Sequence, residues 1–212
     1  MGLQETGSPS VDTALSAAIR VNAYCRERGT ARFNLRAPLE KELSELLDDD
    51  AATRLNERDG DVGIAVTRFA PLPRGELVTT FSDADDVRTA LLASSCIPFY
   101  FGRSPFVSFR RLPTIDGFFA VPRQYFGAPP ALNASVTVRI SPFEASRVGL
   151  VGEAISPQRG EGPPLGDLVA CALGSPPVGD DFLLYLFQQG RRDAASWLET
   201  SSKKCNGGEV LS

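Results

Sequence analysis

The stretch TFSDADDVRTALLASSCIPFY at residues 80–100 predicts a helix that follows a strand and ends before a proline. Ser82 has an acidic residue, Asp85, three positions later, and this spacing is typical of the first turn of a helix. Apolar residues then recur at three- and four-residue steps up to about residue 93, which indicates one buried face. Pro98 cannot continue the helix because it has no backbone N–H group.

Strands and further helices are predicted on both sides of this helix. Residues 62–69 and 76–81 are two β-rich runs separated by the turn sequence PLPRG, so we expect an antiparallel pair. The other predicted strands are residues 106–112, a short strand that ends at Asp116, and residues 135–140. The other predicted helices are residues 12–28, a segment after Pro38, and two closing helices near 165–173 and 179–198. This mixture predicts an α/β fold, with helices more frequent near both ends.

Composition and charge exclude several classes of function. The chain has 212 residues, a net charge of −4 and 42% hydrophobic residues, values typical of a globular protein without a nucleic-acid partner. It contains no histidine, so a histidine general base and a histidine-ligated metal site are both excluded within the chain. The four cysteines form no C-x-x-C pair, and we therefore expect no metal and no cofactor.

The sequence also lacks segments that direct a protein to or through a membrane. No apolar run approaches the roughly 20 residues that a transmembrane helix needs. The first residues, MGLQE, have neither the basic nor the apolar region of a signal peptide. We therefore expect a cytoplasmic protein that also associates peripherally with lipid surfaces.

Three segments together resemble the patatin-like phospholipase family. They are residues 80–100, the sequence IDGF at residues 115–118, and GRRDAASWL at residues 190–198. Their order and spacing carry the resemblance, because no one of them is specific. The resemblance implies a three-layer α/β sandwich over residues 1–199, with residues 200–212 as a disordered tail. It also implies the hydrolysis of acyl esters of phospholipids or acylglycerols.

The resemblance implies a catalytic role for Asp116. Patatin-like enzymes use a serine–aspartate dyad, and Asp116 stands where the family has the aspartate of Asp-Gly-Gly or Asp-Gly-Ala. Phe118 replaces the small residue after Asp-Gly. The family's serine lies in a G-x-S-x-G turn that leads into a helix. Neither Ser8 nor Ser104 has both flanking glycines, and Ser104 precedes a predicted strand. We therefore expect an N-terminally truncated domain that is inactive by itself.

Several alternatives remain open from the residues alone. Asp116 and Gly117 are also typical of a simple turn in which the glycine adopts a positive φ. The aromatic residues between positions 99 and 126 are either core or a lipid-facing surface. The residues Ser94, Ser95 and Cys96 are expected to be small packing residues. The alternative function is a non-catalytic lipid-binding or interaction module.

The expected partners follow from the same interpretation. They are a lipid or acyl-ester substrate, a membrane or lipid-droplet surface, and a second copy of the chain. Self-association is expected because a domain without the strand that leads to the serine would leave residues 62–69 and 135–140 at exposed sheet edges.

Overall fold

The polypeptide is described here by a computed structural model that covers residues 10–58, 62–69, 71–120, 137–150, 152–173 and 178–206. The chain divides into two compact units. The first consists of Met1–Val121 and Ala170–Val178, and the second of Pro122–Val169 and Gly179–Ser212.

The first unit begins with three helices. They are α1 (Val11–Glu27), α2 (Arg36–Leu46) and α3 (Ala51–Asn56). The side chain of Ser10 accepts a hydrogen bond from the N–H of Thr13 over 3.1 Å, which satisfies a free donor at the start of α1. Gly29 follows the end of α1 with a φ of 69°, a conformation that favours glycine. The prediction of a helix over residues 12–28 is therefore confirmed.

A four-stranded sheet forms the centre of the first unit. Its strands are β1 (Ile64–Arg68), β2 (Arg74–Val78), β3 (Val107–Phe109) and β4 (Leu112–Asp116). The order across the sheet is β2-β1-β4-β3, and each neighbouring pair is antiparallel. The predicted antiparallel pair formed by residues 62–69 and 76–81 is confirmed. The expectation that residues 62–69 lie at an exposed edge is wrong, because β1 pairs with β2 on one side and with β4 on the other.

Helix α4 (Ala84–Ser94) packs against β1, β3 and β4. It is capped one residue later than predicted. Asp83 accepts from the N–H of Asp86, and the Asp86 carboxylate accepts from the N–H of Ser82. The buried core between α4 and the sheet includes Val66, Val87, Ala90, Phe109 and Ile115. The predicted α/β class is thus confirmed, whereas the three-layer arrangement stays a prediction.

The run at residues 106–112, predicted as one strand, is instead part of a hairpin. Arg110 and Arg111 have φ values of 49° and 64° and form the two-residue turn between β3 and β4. Two successive positive φ values match the twist of antiparallel strands and are usually supplied by Asn-Gly. The side chain of Arg110 binds the Asp86 carboxylate through two hydrogen bonds of 3.0 and 2.6 Å, which fixes the turn to α4.

The second unit contains shorter elements and one long helix. Strand β5 (Arg139–Ile140) pairs in parallel with β6 (Ala154–Ile155), and α5 (Ala145–Val148) lies between them in the chain. The predicted strand at residues 135–140 is therefore confirmed over its last two residues, and residues 135–136 lie outside the described part. Helices α6 (Leu165–Leu173) and α7 (Asp180–Asn206) follow. Helix α7 continues beyond its predicted end at residue 198 into the segment expected to be a disordered tail; residues 207–212 are not described.

Candidate functional site

Asp116 is the last residue of β4, at the carboxyl end of the strand as predicted. Three backbone interactions fix its position. It pairs with Val66 of β1, and its N–H donates to the carbonyl oxygen of Cys96 over 3.1 Å. Its carbonyl oxygen accepts from the hydroxyl of Thr67 over 2.8 Å. Asp116 is thus attached both to the adjacent strand and to the segment that follows α4.

The Asp116 carboxylate is half-buried, and one of its oxygens accepts a described hydrogen bond. Its Oδ1 atom accepts from the N–H of Phe118 over 2.8 Å. Within the described residues, no side chain donates a hydrogen bond to the carboxylate. Burial raises the pKa of Asp116, and the hydrogen bond from Phe118 opposes this effect. A raised pKa makes a carboxylate a better proton acceptor, which suits a general base.

Gly117 is required by a close approach of two backbone segments. A Cβ atom at this position would lie 2.6 Å from the backbone carbon and oxygen of Ala65, closer than real Cβ contacts. The sequence suggested a turn in which this glycine has a positive φ, and that explanation is wrong, because Gly117 does not have one. A turn is nevertheless present, since Gly117–Phe119 is a short 3-10 helix capped by the Asp116 side chain.

Phe118 does not crowd the backbone of Asp116. Its side chain is 51% exposed, and its ring meets that of Phe119 edge to face, with the ring centres 5.9 Å apart. Gly117 makes a close contact with the backbone of β1 at Ala65. A bulky residue after Asp-Gly is therefore compatible with the position of the aspartate.

The segment after α4 contains no reactive side chain close to Asp116. Cys96 is buried, as expected for a packing residue, and burial raises the pKa of its thiol to about 11. A thiol in that state is not a nucleophile at neutral pH. Ser95 is exposed rather than packed, and its hydroxyl donates to the carbonyl oxygen of Leu91 over 2.9 Å.

The two serines that the sequence raised as nucleophile candidates have different outcomes. Ser104 lies in the loop before β3, and its hydroxyl donates to the carbonyl oxygen of Phe106 over 2.7 Å. A strand follows it, as predicted, whereas a nucleophilic serine of the elbow type precedes a helix. Ser8 lies outside the described residues.

The aromatic stretch divides into core and surface residues. Phe101 and Phe109 are buried, whereas Phe99, Phe106, Phe118 and Phe119 are exposed. Tyr100 is half-buried, and Tyr125 and Phe126 lie outside the described part. The interpretation as core holds for Phe101 and Phe109, whereas a lipid-facing role of the exposed rings stays a prediction.

Two further observations concern metal ions and membranes. In the described ranges, no cluster of three or more cysteine, aspartate or glutamate residues is arranged to hold a metal ion. Among the described helices, none combines the length and the apolar character needed to cross a membrane.

Two features of the first unit lie together: the Cys-Ile-Pro segment that follows α4, and the Asp-Gly turn at the end of β4. The family model for patatin-like phospholipase matches residues 19–126, slightly more than half of the chain. The chain therefore belongs to the patatin-like phospholipase family, whose domain is of the lipid acyl hydrolase type. Neither the curated proteins nor the solved structures include a significant match.

Sequence reasoning identified Asp116 but missed the groups that position it. The contacts of Asp116 are made by the carbonyl of Cys96, the hydroxyl of Thr67 and the backbone at Ala65. Two of these are backbone groups, which every residue has, so no sequence pattern indicates them. The sequence indicated Thr67 only as one residue of a β-rich run and not as a contact of Asp116.

Proposed function

We propose that this domain takes part in the hydrolysis of acyl esters of phospholipids or acylglycerols, with Asp116 as the base partner of a serine. The observation that carries the proposal is the half-buried Asp116 carboxylate at a strand end, which accepts no hydrogen bond from any described side chain. Membership of the patatin-like family supports the choice of a lipid ester as the substrate class. That the carboxylate faces a substrate cleft stays a prediction.

In this reaction Asp116 accepts the proton of the serine hydroxyl while the serine oxygen forms a bond to the ester carbonyl carbon. The proton then passes to the departing alcohol as the ester bond breaks. In the second half of the reaction, water attacks the carbonyl carbon of the acyl-enzyme and the carboxylate accepts its proton. The bond from the acyl group to the serine oxygen then breaks as this proton passes to the serine oxygen, which releases the fatty acid and restores the hydroxyl. The raised pKa of Asp116 assists each proton transfer to it.

We further propose that the 212-residue chain supplies the aspartate and not the nucleophile. None of its serines stands in a G-x-S-x-G sequence. That turn exposes the serine oxygen and brings a backbone N–H group towards the developing oxyanion. The chain by itself is then inactive, and catalysis requires a polypeptide segment that carries the serine turn.

A fluorophosphonate probe and a p-nitrophenyl ester assay test this proposal. We expect the purified chain to remain unlabelled and to release no p-nitrophenol above background. Stoichiometric labelling of Ser8 or Ser104, located by mass spectrometry, would show that the chain has its own nucleophile and overturn this part of the proposal.

The role of Asp116 is tested in a gene product that contains the serine turn. Replacement Asp116→Asn should lower kcat by about 10²–10⁴-fold, the range for loss of a general base. The matched control is Asp85→Asn, since the Asp85 side chain is a highly exposed carboxylate on α4. An active Asp116→Asn enzyme would remove Asp116 from the mechanism.

One observation favours a second candidate function, a non-catalytic lipid-binding or interaction module. It is the absence of a serine turn from the sequence. A native transcript that encodes a G-x-S-x-G sequence in frame with Met1 supports the hydrolase. A native transcript without one supports the module.

A further inference from the structure

A group of exposed apolar side chains lies beside the end of α4. It comprises Phe33, Ile97 and Phe99, and their exposed fractions are 41%, 45% and 59%. Exposed apolar residues are common singly, whereas a local group of them marks an interaction surface. We call Arg32, Phe33, Ile97 and Phe99 the aromatic patch.

Backbone hydrogen bonds join the two segments of the aromatic patch. The N–H of Phe33 donates to the carbonyl oxygen of Tyr100 over 2.6 Å. The guanidinium of Arg32 donates to the carbonyl oxygen of Phe99 over 3.4 Å. The N–H of Tyr100 donates to the carbonyl oxygen of Ile97, which closes a tight turn around Phe99. These bonds place the four residues of the patch next to one another.

Both phenylalanines have left-handed backbone conformations. The φ values are 68° for Phe33 and 59° for Phe99. Bulky side chains rarely adopt this conformation, which costs about 1–2 kcal/mol per residue relative to the right-handed form. Neither ring gains full burial in exchange. A strained conformation that holds an exposed aromatic residue is a reason to look for a binding function.

Arg32 adds a positive charge to this apolar surface. Its guanidinium lies 4.8 Å from the ring centre of Phe33. Within the described residues, no carboxylate forms an ion pair with Arg32. Aromatic and aliphatic side chains beside a cationic arginine match the acyl region and the negatively charged headgroups of an anionic bilayer.

The aromatic patch also lies close to Asp116. Ile97 directly follows Cys96, whose carbonyl oxygen accepts the 3.1 Å hydrogen bond from Asp116. Consecutive Cα atoms are about 3.8 Å apart, so Ile97 and Asp116 are neighbours in space. A lipid surface on the patch would therefore lie near the candidate site.

We propose that the aromatic patch is the surface by which this domain docks on anionic phospholipid bilayers. Phe33, Ile97 and Phe99 insert among the lipid headgroups, and Arg32 is attracted to the net negative charge of the anionic headgroups. The inference rests on the proposed function in one respect, the choice of lipid as the partner. It requires no catalysis by the chain.

Vesicle co-sedimentation tests the docking surface. The intact chain should bind vesicles of phosphatidylcholine with phosphatidylserine more tightly than vesicles of phosphatidylcholine alone. The double variant Phe33→Asn, Phe99→Asn should bind at least about tenfold more weakly to both, because it removes half-exposed aromatic surface. Asparagine tolerates the left-handed conformation, so the backbone of the patch is retained. Circular dichroism and a cooperative thermal transition verify the fold.

The charge of the patch is tested separately. Arg32→Gln should weaken binding to the anionic vesicles about fivefold, the effect of one basic residue near such a surface, and leave binding to neutral vesicles unchanged. Equal weakening on both vesicles would overturn the role of the negative headgroup charge.

Two controls make the test specific. Val11→Ser removes a side chain that is 67% exposed at the opposite end of α1, about 24 Å from the end of the helix near the patch. It should bind vesicles as the intact chain does. Asp116→Asn should also bind normally, so an error in the proposed catalytic role would not affect this result.

Three results would overturn the inference. They are no binding to either vesicle, unchanged binding of the double variant, and an equal loss in Val11→Ser. Light scattering tests whether a second copy of the chain, rather than a bilayer, binds the aromatic patch. A dimer that the double variant dissociates would show that the patch binds a second copy of the chain.

Discussion

The backbone N–H of Asp116 donates a hydrogen bond to the carbonyl oxygen of Cys96 over 3.1 Å. This bond connects the end of β4 with the segment that follows α4, two parts of the chain that are twenty positions apart in the sequence. Both residues are held by other contacts as well, since Cys96 is buried and Asp116 pairs with Val66. The position of the candidate carboxylate therefore depends on the packing of α4 against the sheet.

The close approach at Gly117 predicts a large effect of a small substitution. Gly117→Ala should lower the free energy of unfolding by about 2–4 kcal/mol, because its methyl group would overlap the backbone of Ala65 and force β1 and the turn apart. Chemical denaturation measures the loss. The matched control is Gly190→Ala in α7, where a Cβ atom meets no neighbour. That variant should be unchanged or up to about 1 kcal/mol more stable, because alanine favours the helix. A stable Gly117→Ala protein would contradict the contact.

The raised pKa of Asp116 predicts how stability depends on pH. Burial disfavours the charged form of the carboxyl group. Its stabilising contribution is therefore present below 3.8, the pKa of Asp116 in the unfolded chain, and is lost as pH rises through the pKa of the folded chain. Asp116→Asn keeps an acceptor for the N–H of Phe118 and has no charge to bury. The variant should thus be more stable than the intact chain at pH 7, and the difference should disappear below pH 3.8. Thermal unfolding across this range measures the difference, and a less stable variant at pH 7 would contradict the prediction.

The ion pair between Arg68 and Glu76 predicts the opposite pH dependence. The buried guanidinium of Arg68 donates to both oxygens of Glu76, at 2.6 and 3.0 Å, and to the carbonyl oxygen of Phe109. These hydrogen bonds lower the pKa of Glu76 below its usual 4.5. Its stabilising contribution is present above pH 4.5 and is lost as pH falls through the lowered pKa.

Glu76→Gln should therefore destabilise the chain by about 1.5–3 kcal/mol at pH 7, the scale of a hydrogen bond to a charged group. The loss should shrink at acid pH. Glu45→Gln is the control, because Glu45 and Lys41 form an exposed pair at 3.7 Å, and it should leave the denaturation midpoint unchanged. A Glu76→Gln midpoint that equals that of the control would refute a structural role for the pair.

The hairpin turn predicts a stabilising substitution. Arg111 has a φ of 64°, and its side chain makes no described ion pair. Arg111→Gly should raise the free energy of unfolding by about 0.5–1 kcal/mol, since glycine adopts this conformation without strain. Arg110→Gly should instead destabilise, because it removes the two hydrogen bonds to Asp86. Equal effects of the two variants in a denaturation experiment would disprove this distinction.

In the four-stranded sheet β2 and not β1 is an edge strand, so the expected site of self-association changes from β1 to β2. Among the described residues, β2 pairs with β1 alone, and Leu77 within β2 is exposed. We predict that the chain self-associates through this edge and that Leu77→Lys yields a monomer, because an edge charge opposes strand pairing. Leu72→Lys, in the adjacent turn, should not change the association. Size-exclusion chromatography with light scattering distinguishes the outcomes, and a monomeric intact chain would end the hypothesis.

The sequence predicted elements whose signals are local. Helix α1 and the β1–β2 pair follow from amphipathic spacing, a capping serine and a proline-rich turn. The hairpin at Arg110 and Arg111 could not be predicted, because its two turn residues are arginines in place of the usual asparagine and glycine. Its stability comes from Asp86, which is distant in the sequence.

The role of Asp116 stays a prediction, and the contacts that position this residue could not be predicted from the sequence. The order of the motifs indicated Asp116, whereas the reason for Gly117 depends on the distance to Ala65, which no sequence pattern contains. The same holds for the aromatic stretch. Phe101 and Phe109 are buried and Phe99 is not, although all three lie in one apolar segment.

The left-handed conformations of Phe33 and Phe99 have a consequence for directed evolution of this chain. Glycine or asparagine would adopt these backbone conformations with less strain. The two phenylalanines therefore lower the stability of the chain while they keep an aromatic ring exposed. A library selected for heat resistance alone should lose both phenylalanines early. A library selected for heat resistance and for retention on lipid vesicles should keep them and accumulate its stabilising changes elsewhere.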